Sequence, residues 1–230
     1  MAKAAVPQHI AIIPDGNRRW AKSKHLPALL GHKRGVDVME KVCYAAIDRG
    51  VKVMTFWAFS TENWRRAKRE VNYLLKLFEE VFINRLDKFN SENVKLVVSG
   101  RIDEFPDRLQ NYIKKAVDKT KNNTRGIVHL CLNYGGRAEI IDMVKKIIKK
   151  KISPLKVNRQ IIDENLYNPG LPDIDLVVRT SGEQRTSGFL PWQLEYAEYA
   201  FVDKHWPDFK EKDIDKLIKD FQSRQRRFGR

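Results

Sequence analysis

Apolar residues along this chain alternate between short continuous runs and longer stretches in which they recur every three or four positions. The short, β-branched runs predict strands at residues 9–14, 51–59, 94–98, 127–132, 175–178 and 199–202. The periodic stretches predict helices at residues 35–49, 70–89, 106–120, 137–151 and 214–226. This alternation of strands and helices predicts an α/β fold with a central, mostly parallel six-stranded sheet flanked by helices.

A parallel sheet matters for function because the carboxyl ends of its strands share one edge, and ligands bind outside that edge. No repeat, low-complexity tract or linker interrupts the pattern, so we predict a single domain over residues 1–230. No stretch approaches the roughly 18 consecutive apolar residues of a membrane span. The first residues also lack the apolar segment of a secretory signal, which predicts a cytoplasmic protein.

Charge narrows the choice of partners. The chain carries 44 Lys and Arg against 29 Asp and Glu, a net charge of +15, which predicts an anionic partner such as a phosphorylated small molecule, an acidic membrane surface or nucleic acid. Several arginines follow the predicted strands, where a guanidinium can bind phosphate with two hydrogen bonds. Both cysteines, Cys43 and Cys131, lie in apolar segments, which predicts buried thiols and not a disulfide or a zinc site.

The loop after the first strand has the composition of a phosphate and metal site. Asp15 can hold Mg²⁺ there, while Arg18 and Arg19 can face phosphate oxygens. An ordinary Asx turn with solvated charges explains the same residues. His32, near the predicted start of the first long helix, can donate to a phosphate or carry a proton, or can be a purely structural histidine.

Two later segments repeat this chemistry. After the second strand, Ser60 can donate to a phosphate and Trp64 can cover a hydrocarbon chain, although a helix cap and a buried tryptophan explain them equally. After the fifth strand, Arg179 and Arg185 flank small hydroxyl-bearing residues that can surround one polyanion. Glu198 lies further along the chain and can be either a second carboxylate at the metal or the ion-pair partner of an arginine.

Several common motifs are absent from the sequence. It contains no P-loop, no G-x-G-x-x-G, no H-E-x-x-H, no C-x-x-C, no G-x-S-x-G and no Asp-Asp-x-x-Asp. A basic nucleic-acid-binding protein remains the weaker alternative, because no helix-turn-helix, zinc or RNP pattern supports it.

Taken together, the motifs resemble those of the cis-prenyltransferase family, which includes synthases of undecaprenyl and other Z-polyprenyl diphosphates. The resemblance runs from His9 to Gly229 and rests on IAIIPDGNRRWA, GHKRGV, FSTENW, NYGGR, DLVVRTSGEQR, WPDF and RRFG, in that order. The TSGFLPW segment looks more like archaeal or other non-model members. Ala28, Gly188 and Pro191 depart from the common bacterial pattern.

The resemblance implies a reaction and its partners. Isopentenyl diphosphate would be condensed with an allylic diphosphate primer, farnesyl or geranylgeranyl diphosphate, with Mg²⁺ as cofactor. The product would be a medium-to-long Z-polyprenyl diphosphate; the alternative is a short-chain or irregular product. A homodimer and a long apolar tunnel are also implied. Because such a product is poorly soluble in water, we expect transient contact with a membrane and a protein that can lie at the membrane periphery. Nucleic acid is not an expected partner.

The resemblance also assigns roles to individual residues. Asp15 and Asn63 match the catalytic positions, and Asp15 and Glu198 the metal-linked acids. The allylic diphosphate site is implied at Gly16, Asn17, Arg18, Arg19, Trp20 and His32. The isopentenyl diphosphate site is implied at Ser60, Trp64, Arg66, Arg179, Arg185 and Ser187. Arg227 and Gly229 match a tail that reaches the partner subunit's active site.

Two apolar surfaces are candidates for handling the product. Tunnel walls are predicted from the long helix, at Leu74, Phe78, Val81 and Phe82, and from the fourth strand, at Gly126, Val128 and Leu130, although plain core packing explains each of them. The basic amphipathic stretch at residues 141–152 is a candidate membrane surface, or else a solvated helix face.

Overall fold

A computed structural model describes residues 5–224 of the chain. Its strands form one six-stranded sheet in the order β3-β4-β2-β1-β5-β6. Every neighbouring pair is parallel, so the predicted sheet is confirmed. The strands are β1 (His9–Ile13), β2 (Val53–Ser60), β3 (Val94–Ser99), β4 (Gly126–Tyr134), β5 (Leu176–Thr180) and β6 (Glu198–Val202).

Helices cover both faces of the sheet. They are α1 (Asn17–Ser23), α2 (Ala28–Asp48), α3 (Lys68–Asn84), α4 (Leu86–Ser91), α5 (Asp107–Thr120), α6 (Gly136–Lys149), α7 (Arg159–Asp163) and α8 (Glu211–Ser223). Short 3-10 turns at Thr61–Arg65 and Trp206–Asp208 border the site described below. Within residues 5–224, no helix combines the length and apolar character needed to cross a bilayer.

The position of each strand in the sheet explains its sequence. All five residues of β1 are buried because β1 lies inside the sheet, between β2 and β5. The larger apolar core lies on the face covered by α2, α3, α5 and α8, and a smaller core lies on the other face. By contrast, β6 forms one edge of the sheet and is only partly buried.

Helix α2 begins seven residues before its predicted start at residue 35. The glycines at 31 and 35 were expected near the helix start, yet both lie inside the helix. Glycine occurs at these two positions because α1 packs closely against α2 there. A Cβ on Gly31 would lie 2.1 Å from the backbone oxygen of Asn17, and one on Gly35 would lie 2.4 Å from Asn17 Oδ1. His32 is therefore an interior residue of the helix and does not lie at its N-terminus.

The single helix predicted over residues 70–89 is divided at Arg85 into α3 and α4. The Arg85 guanidinium forms ion pairs with Asp37 and Glu40 of α2. The sequence around residue 85 contains no proline or glycine, so the apolar periodicity alone could not predict this division.

Candidate active site

The loop between β1 and α1 places Asp15 at the carboxyl edge of the sheet. Asp15 Oδ1 accepts a hydrogen bond of 2.7 Å from the Gly16 N–H, which fixes the carboxylate over the loop. Gly16 has a φ of +98°, and a Cβ at this position would lie 1.9 Å from Ser181 Oγ. Glycine is therefore required here by both the backbone conformation and the close approach of the loop that follows β5.

Asp15 is held by arginines from two different segments. Arg179 Nη2 donates to Asp15 Oδ2 at 3.0 Å, and Arg19 Nη2 lies 3.2 Å from Asp15 Oδ1. Burial alone would raise the pKa of the Asp15 carboxyl. The hydrogen bonds from Arg179 and Gly16, with the charges of Arg179 and Arg19, outweigh burial and bring that pKa below its ordinary value. Asp15 is consequently a carboxylate at neutral pH.

The pairing of β1 with β5 explains how Arg179 reaches Asp15. Ile13 and Arg179 are register partners in these neighbouring strands, although they are far apart in sequence. The Arg179 side chain is only 7% exposed, and its Nη1 donates to Ser187 Oγ at 2.9 Å and to the Arg185 carbonyl. Its Nε is buried and has no hydrogen-bond partner among the described residues.

Glu183 links the two arginine segments on the outer side of the site. Its Oε1 accepts from Arg19 Nη1 at 2.9 Å, and its other oxygen accepts from Arg185. The loop after β1 and the loop after β5 are thus joined through Asp15 and again through Glu183.

Glu70, in the first turn of α3, gathers a second group of cations. Its carboxylate lies 3.0 Å from Arg66 Nη1, 3.3 Å from His32 Nε2 and 3.8 Å from Arg18 Nη1. Burial lowers the pKa of His32 and the charge of Arg66 lowers it further; Glu70 opposes both, and the net pKa lies below the ordinary value. His32 is therefore neutral at pH 7.

The loop after β1, the helices α1 and α2, and Arg66 surround an open polar cavity of about 860 Å³; Arg179, Arg185 and Ser187 are not among its lining residues. Asp15 is the only carboxylate among its lining residues, whereas the cationic and imidazole side chains are numerous. They are Arg18, Arg19, Lys22, His25, His32 and Arg66. A cavity with this charge balance suits a ligand with several negative charges, such as a diphosphate.

An apolar crevice of about 70 Å³ adjoins the polar cavity, with which it shares Pro14, Asn17 and His32 as lining residues. One water fills roughly 10–15 Å³ by this measure, so the crevice accommodates about one five-carbon unit. The predicted walls Leu74, Phe78, Val81, Phe82 and Leu130 all line it, together with Met39, Leu77 and Leu132. Gly126 and Val128 are not among its lining residues, and Gly126 instead faces Ile47 of α2.

The predicted residues after β2 lie at the same edge of the sheet and are hydrogen-bonded to other protein groups. Ser60 precedes the 3-10 turn at Thr61–Arg65, and its N–H donates to Asn63 Oδ1 at 3.1 Å, as in a helix cap. Trp64 Nε1 donates to Asn133 Oδ1 at 2.8 Å, and its ring packs on Phe59. Their roles toward a substrate remain predictions.

Two further predicted residues, Trp20 and Glu198, have partners other than Asp15. Trp20 Nε1 donates to Asp208 Oδ1 at 2.8 Å, which ties α1 to the 3-10 turn at Trp206–Asp208. Glu198 was expected either as a second metal carboxylate or as the partner of an arginine; the structure shows it as the partner of an arginine, and its role at a metal stays a prediction. Its register partner is Leu176, three residues before Arg179 and so about 10 Å further back along the sheet. There Glu198 forms an ion pair with Arg224.

Two of the predicted residues lie outside the described part of the chain, and three residues at the site have roles that the sequence analysis did not predict. Arg227 and Gly229 lie beyond residues 5–224. Glu70 and Glu183 were missed because a glutamate near arginines in sequence is an ordinary surface pattern. Ser181 was missed in its structural role: its Oγ donates to the Asp15 carbonyl at 3.0 Å and contacts His205 Nδ1 at 2.7 Å.

Comparison with known proteins identifies the family. Residues 13–229 match the family described as "Putative undecaprenyl diphosphate synthase". An isoprenyl transferase of Bacillus cereus is 45% identical, over 99% of this chain and 90% of the relative. A Micrococcus luteus protein named ditrans,polycis-undecaprenyl-diphosphate synthase ((2E,6E)-farnesyl-diphosphate specific) is 44% identical, over 98% of this chain and 92% of the relative.

Comparison with solved structures leads to the same family. Lavandulyl diphosphate synthase from Lavandula x intermedia, in complex with dimethylallyl diphosphate, superposes with a TM-score of 0.93 at 30% identity, covering 98% of this chain and 99% of that one. A probable undecaprenyl diphosphate synthase from Campylobacter jejuni superposes with a TM-score of 0.83 at 31% identity, covering 98% and 100%. The chain belongs to the undecaprenyl diphosphate synthase family of prenyltransferases. It is an enzyme that transfers prenyl groups and elongates cis-prenyl chains.

Proposed function

We propose that this enzyme condenses isopentenyl diphosphate with a fifteen- or twenty-carbon allylic diphosphate and makes a medium-to-long Z-polyprenyl diphosphate. The observation that carries the proposal is the contact between Asp15 and Arg179 at 3.0 Å, which joins the two arginine segments beside the cavity that Asp15 lines. The adjoining apolar crevice lies where the prenyl chain of a primer bound by its diphosphate would extend. The Micrococcus luteus relative is named as farnesyl-diphosphate specific, which supports the fifteen-carbon primer.

The residues at the cavity fit one magnesium ion. Asp15 is ionised and only partly buried, and no group of three or more His, Cys, Asp or Glu able to hold a metal occurs among residues 5–224. Mg²⁺ is commonly bound by one or two carboxylates together with substrate phosphates and water, so a single aspartate suffices. Bound there, the ion would neutralise charge on the leaving diphosphate.

The arginines supply the remaining countercharge in this proposal. Gly16, Asn17, Arg18, Arg19 and His32 hold the allylic diphosphate, with Trp20 behind them. Arg66, Arg179, Arg185 and Ser187 hold isopentenyl diphosphate. As the allylic carbon–oxygen bond breaks, guanidinium groups fixed by Asp15, Glu70 and Glu183 stabilise the departing diphosphate without having to reorganise. Binding both diphosphates also brings the two reacting carbons together, which can contribute roughly 7–11 kcal/mol at most.

The segment after β2 completes the proposed site. Ser60, Asn63 and Trp64 lie at the edge shared with Asp15, and we assign them to the region of the reacting carbons, with Asn63 as a catalytic residue. The capping hydrogen bond at Asn63 would keep its side chain in one orientation during the reaction.

A second candidate is a short-chain or irregular product. The crevice accommodates about one five-carbon unit. The TM-score of 0.93 to lavandulyl diphosphate synthase also exceeds the 0.83 to the probable undecaprenyl diphosphate synthase. A long product requires α3 to move away from α2 and the sheet, whereas a short product requires little movement.

Product analysis separates the two candidates. The enzyme is incubated with Mg²⁺, isopentenyl diphosphate and a ten-, fifteen- or twenty-carbon primer, and the dephosphorylated products are measured by mass spectrometry. The first proposal predicts a ladder of products that extends well beyond the fifteen- or twenty-carbon primer. Products that exceed the primer by no more than one five-carbon unit would support the short-chain candidate instead. No product with any primer, and none with dimethylallyl diphosphate in place of the primer, would contradict both.

A homodimer is also proposed, supported by the edge strand β6. Tyr199 and Phe201 of this strand are exposed and stack on each other at 6.2 Å. Pairing with a second copy would cover these rings and the open edge. Sedimentation equilibrium should give about twice the 26.9 kDa mass of one chain, and a monomer at micromolar concentration would contradict the dimer.

Membrane contact during product release is proposed through α6, in a protein otherwise free in the cytoplasm. Ile141, Val144 and Ile148 are exposed on this helix, and Ile148 is 69% exposed. Lysines at 145, 149 and 150 flank them, a combination that suits an anionic bilayer. Ile148→Asp should reduce co-sedimentation with anionic vesicles, and unchanged co-sedimentation would remove α6 from the proposal.

A further inference from the structure

The carboxylate of Glu70 contacts three side chains that come from three different parts of the chain. Arg18 is in α1, His32 is in α2, and Arg66 follows the 3-10 turn after β2. The Glu70 side chain is only 12% exposed, so water screens these contacts weakly. All three of its partners line the polar cavity.

The protonation of this group follows from the geometry. An ionised carboxylate only accepts hydrogen bonds, so the His32 nitrogen 3.3 Å from Glu70, Nε2, carries the hydrogen. His32 is neutral because its pKa lies below the ordinary value. Arg18, Arg66 and Glu70 therefore sum to one positive charge, where the two arginines alone would present two.

We propose that Glu70 is a positioning residue with two linked effects. It holds Arg66 and His32 at the cavity, and its negative charge lowers their affinity for a diphosphate enough to permit release. This inference rests on the proposed function, since the ligand is the diphosphate of substrate or product. Ground-state binding that is too tight slows turnover, because it stabilises the bound diphosphate without stabilising the transition state. A permanent carboxylate behind the cations limits that binding while it keeps them oriented.

The proposal predicts that two substitutions of Glu70 differ in their effect on pyrophosphate binding. Glu70→Gln keeps a hydrogen-bond acceptor for Arg66 and His32 but removes the charge, so it should tighten the binding of inorganic pyrophosphate about five-fold. It should also lower both the KM for the allylic substrate and kcat. Glu70→Ala removes the acceptor as well, and Arg66 loses its orientation, so pyrophosphate binding should tighten less than in Glu70→Gln or become weaker than in the wild type.

Glu79→Gln is the matched control. Glu79 is on the same helix and forms a comparable ion pair, with Arg108 Nε at 3.3 Å, but neither residue lines the polar cavity. This variant should leave pyrophosphate binding and turnover unchanged. A general loss of helix charge would instead affect Glu79→Gln and Glu70→Gln alike.

The experiment measures pyrophosphate binding by isothermal titration calorimetry with the full chain and Mg²⁺, alongside steady-state kinetics and thermal melting. Tighter pyrophosphate binding with a lower kcat in Glu70→Gln supports the proposal. Equal or weaker binding in a folded Glu70→Gln variant overturns it. If that variant does not fold, Glu70→Asp, which retracts the charge by one methylene, should shift binding in the same direction by a smaller factor, and no shift overturns the proposal. A wild-type enzyme that binds no pyrophosphate and elongates no primer would instead contradict the proposed function.

Discussion

The polar cavity and the apolar crevice adjoin each other but differ greatly in volume. The polar cavity has a volume of about 860 Å³, whereas the crevice has about 70 Å³. Carboxylates at Asp15, Glu70 and Glu183 hold the arginines in place around the polar cavity. In the crevice, apolar side chains from α2, α3 and the sheet approach one another, because nothing favours an empty apolar space in a close-packed interior. Under the proposed function, the diphosphate site is thus preorganised, whereas the crevice would have to widen to take a long prenyl chain.

The strongest test of the polar region is Asp15→Ala. It removes the proposed metal ligand and leaves Arg19 and Arg179 without their shared carboxylate, so kcat should fall by about 10²–10³-fold or more. The fold should persist, because Asp15 is only partly buried. Turnover is measured with labelled isopentenyl diphosphate, and folding by circular dichroism. Turnover at the wild-type rate would show that Asp15 does not hold the metal.

Arg179→Ala removes a buried charge that contacts both Asp15 and Ser187. A charge-assisted hydrogen bond contributes about 1.5–3 kcal/mol, so the KM for isopentenyl diphosphate should rise about 10- to 100-fold. The KM for the allylic primer should change less, and Arg179→Lys should recover part of the loss. An unchanged KM for isopentenyl diphosphate would remove Arg179 from that substrate's site.

The apolar region is tested by Phe82→Ala on α3. Phe82 is buried and lines the crevice, so its truncation should enlarge the crevice and shift the product distribution toward longer chains. The cost in folding free energy should be about 3–5 kcal/mol. Mass spectrometry of the products and a denaturant titration check the two effects. A destabilised variant with an unchanged product distribution would make Phe82 a core residue without a role in chain length.

The fold could be anticipated from sequence to a large extent. Because β1 and β5 are buried runs in a parallel sheet, the residues that follow them had to share an edge, and the contact between Asp15 and Arg179 confirms this. Glu198 lies at the start of β6, as the strand predicted at residues 199–202 already implied, and therefore at the opposite end of that strand from the edge that carries Asp15.

Other features were hidden because they depend on packing between distant elements. Helix α1 was not predicted, as its seven residues offer too short an apolar pattern. Glu70 acquires its partners only when α1, α2 and α3 come together. The small volume of the crevice depends on how side chains pack, which periodicity does not determine.

A pH dependence should affect stability more than the site. His9, Thr55, His129 and Ser99 form a buried hydrogen-bond chain across the sheet, and neither this chain nor its end at Pro172 O lines the polar cavity. Since Pro172 O only accepts, His9 Nδ1 carries the hydrogen. The Thr55 hydroxyl then donates to His9, His129 donates to Thr55, and Ser99 donates to His129.

Protonating either histidine breaks this chain. Burial lowers the pKa of His9 from 6.5 to about 4 and that of His129 to about 3. The unfolded chain therefore binds more protons below pH 6.5, and stability should fall as the pH decreases toward 4, by up to about 3 kcal/mol for His9. Urea titrations across this range check the fall. Imidazole NMR signals of His9 and His129 that titrate near pH 6.5 would contradict the buried chain.

The central claim is that distant segments form one diphosphate-binding cavity that continues into a space for the prenyl chain. The most direct measurement is a crystal structure of the enzyme with Mg²⁺ and a fifteen-carbon allylic thiodiphosphate. The account predicts the diphosphate within hydrogen-bond distance of residues 16–19, the metal on Asp15, and the hydrocarbon chain between α2 and α3, which have moved apart. A diphosphate bound away from Asp15, or a hydrocarbon chain lying outside an unchanged crevice, would contradict it.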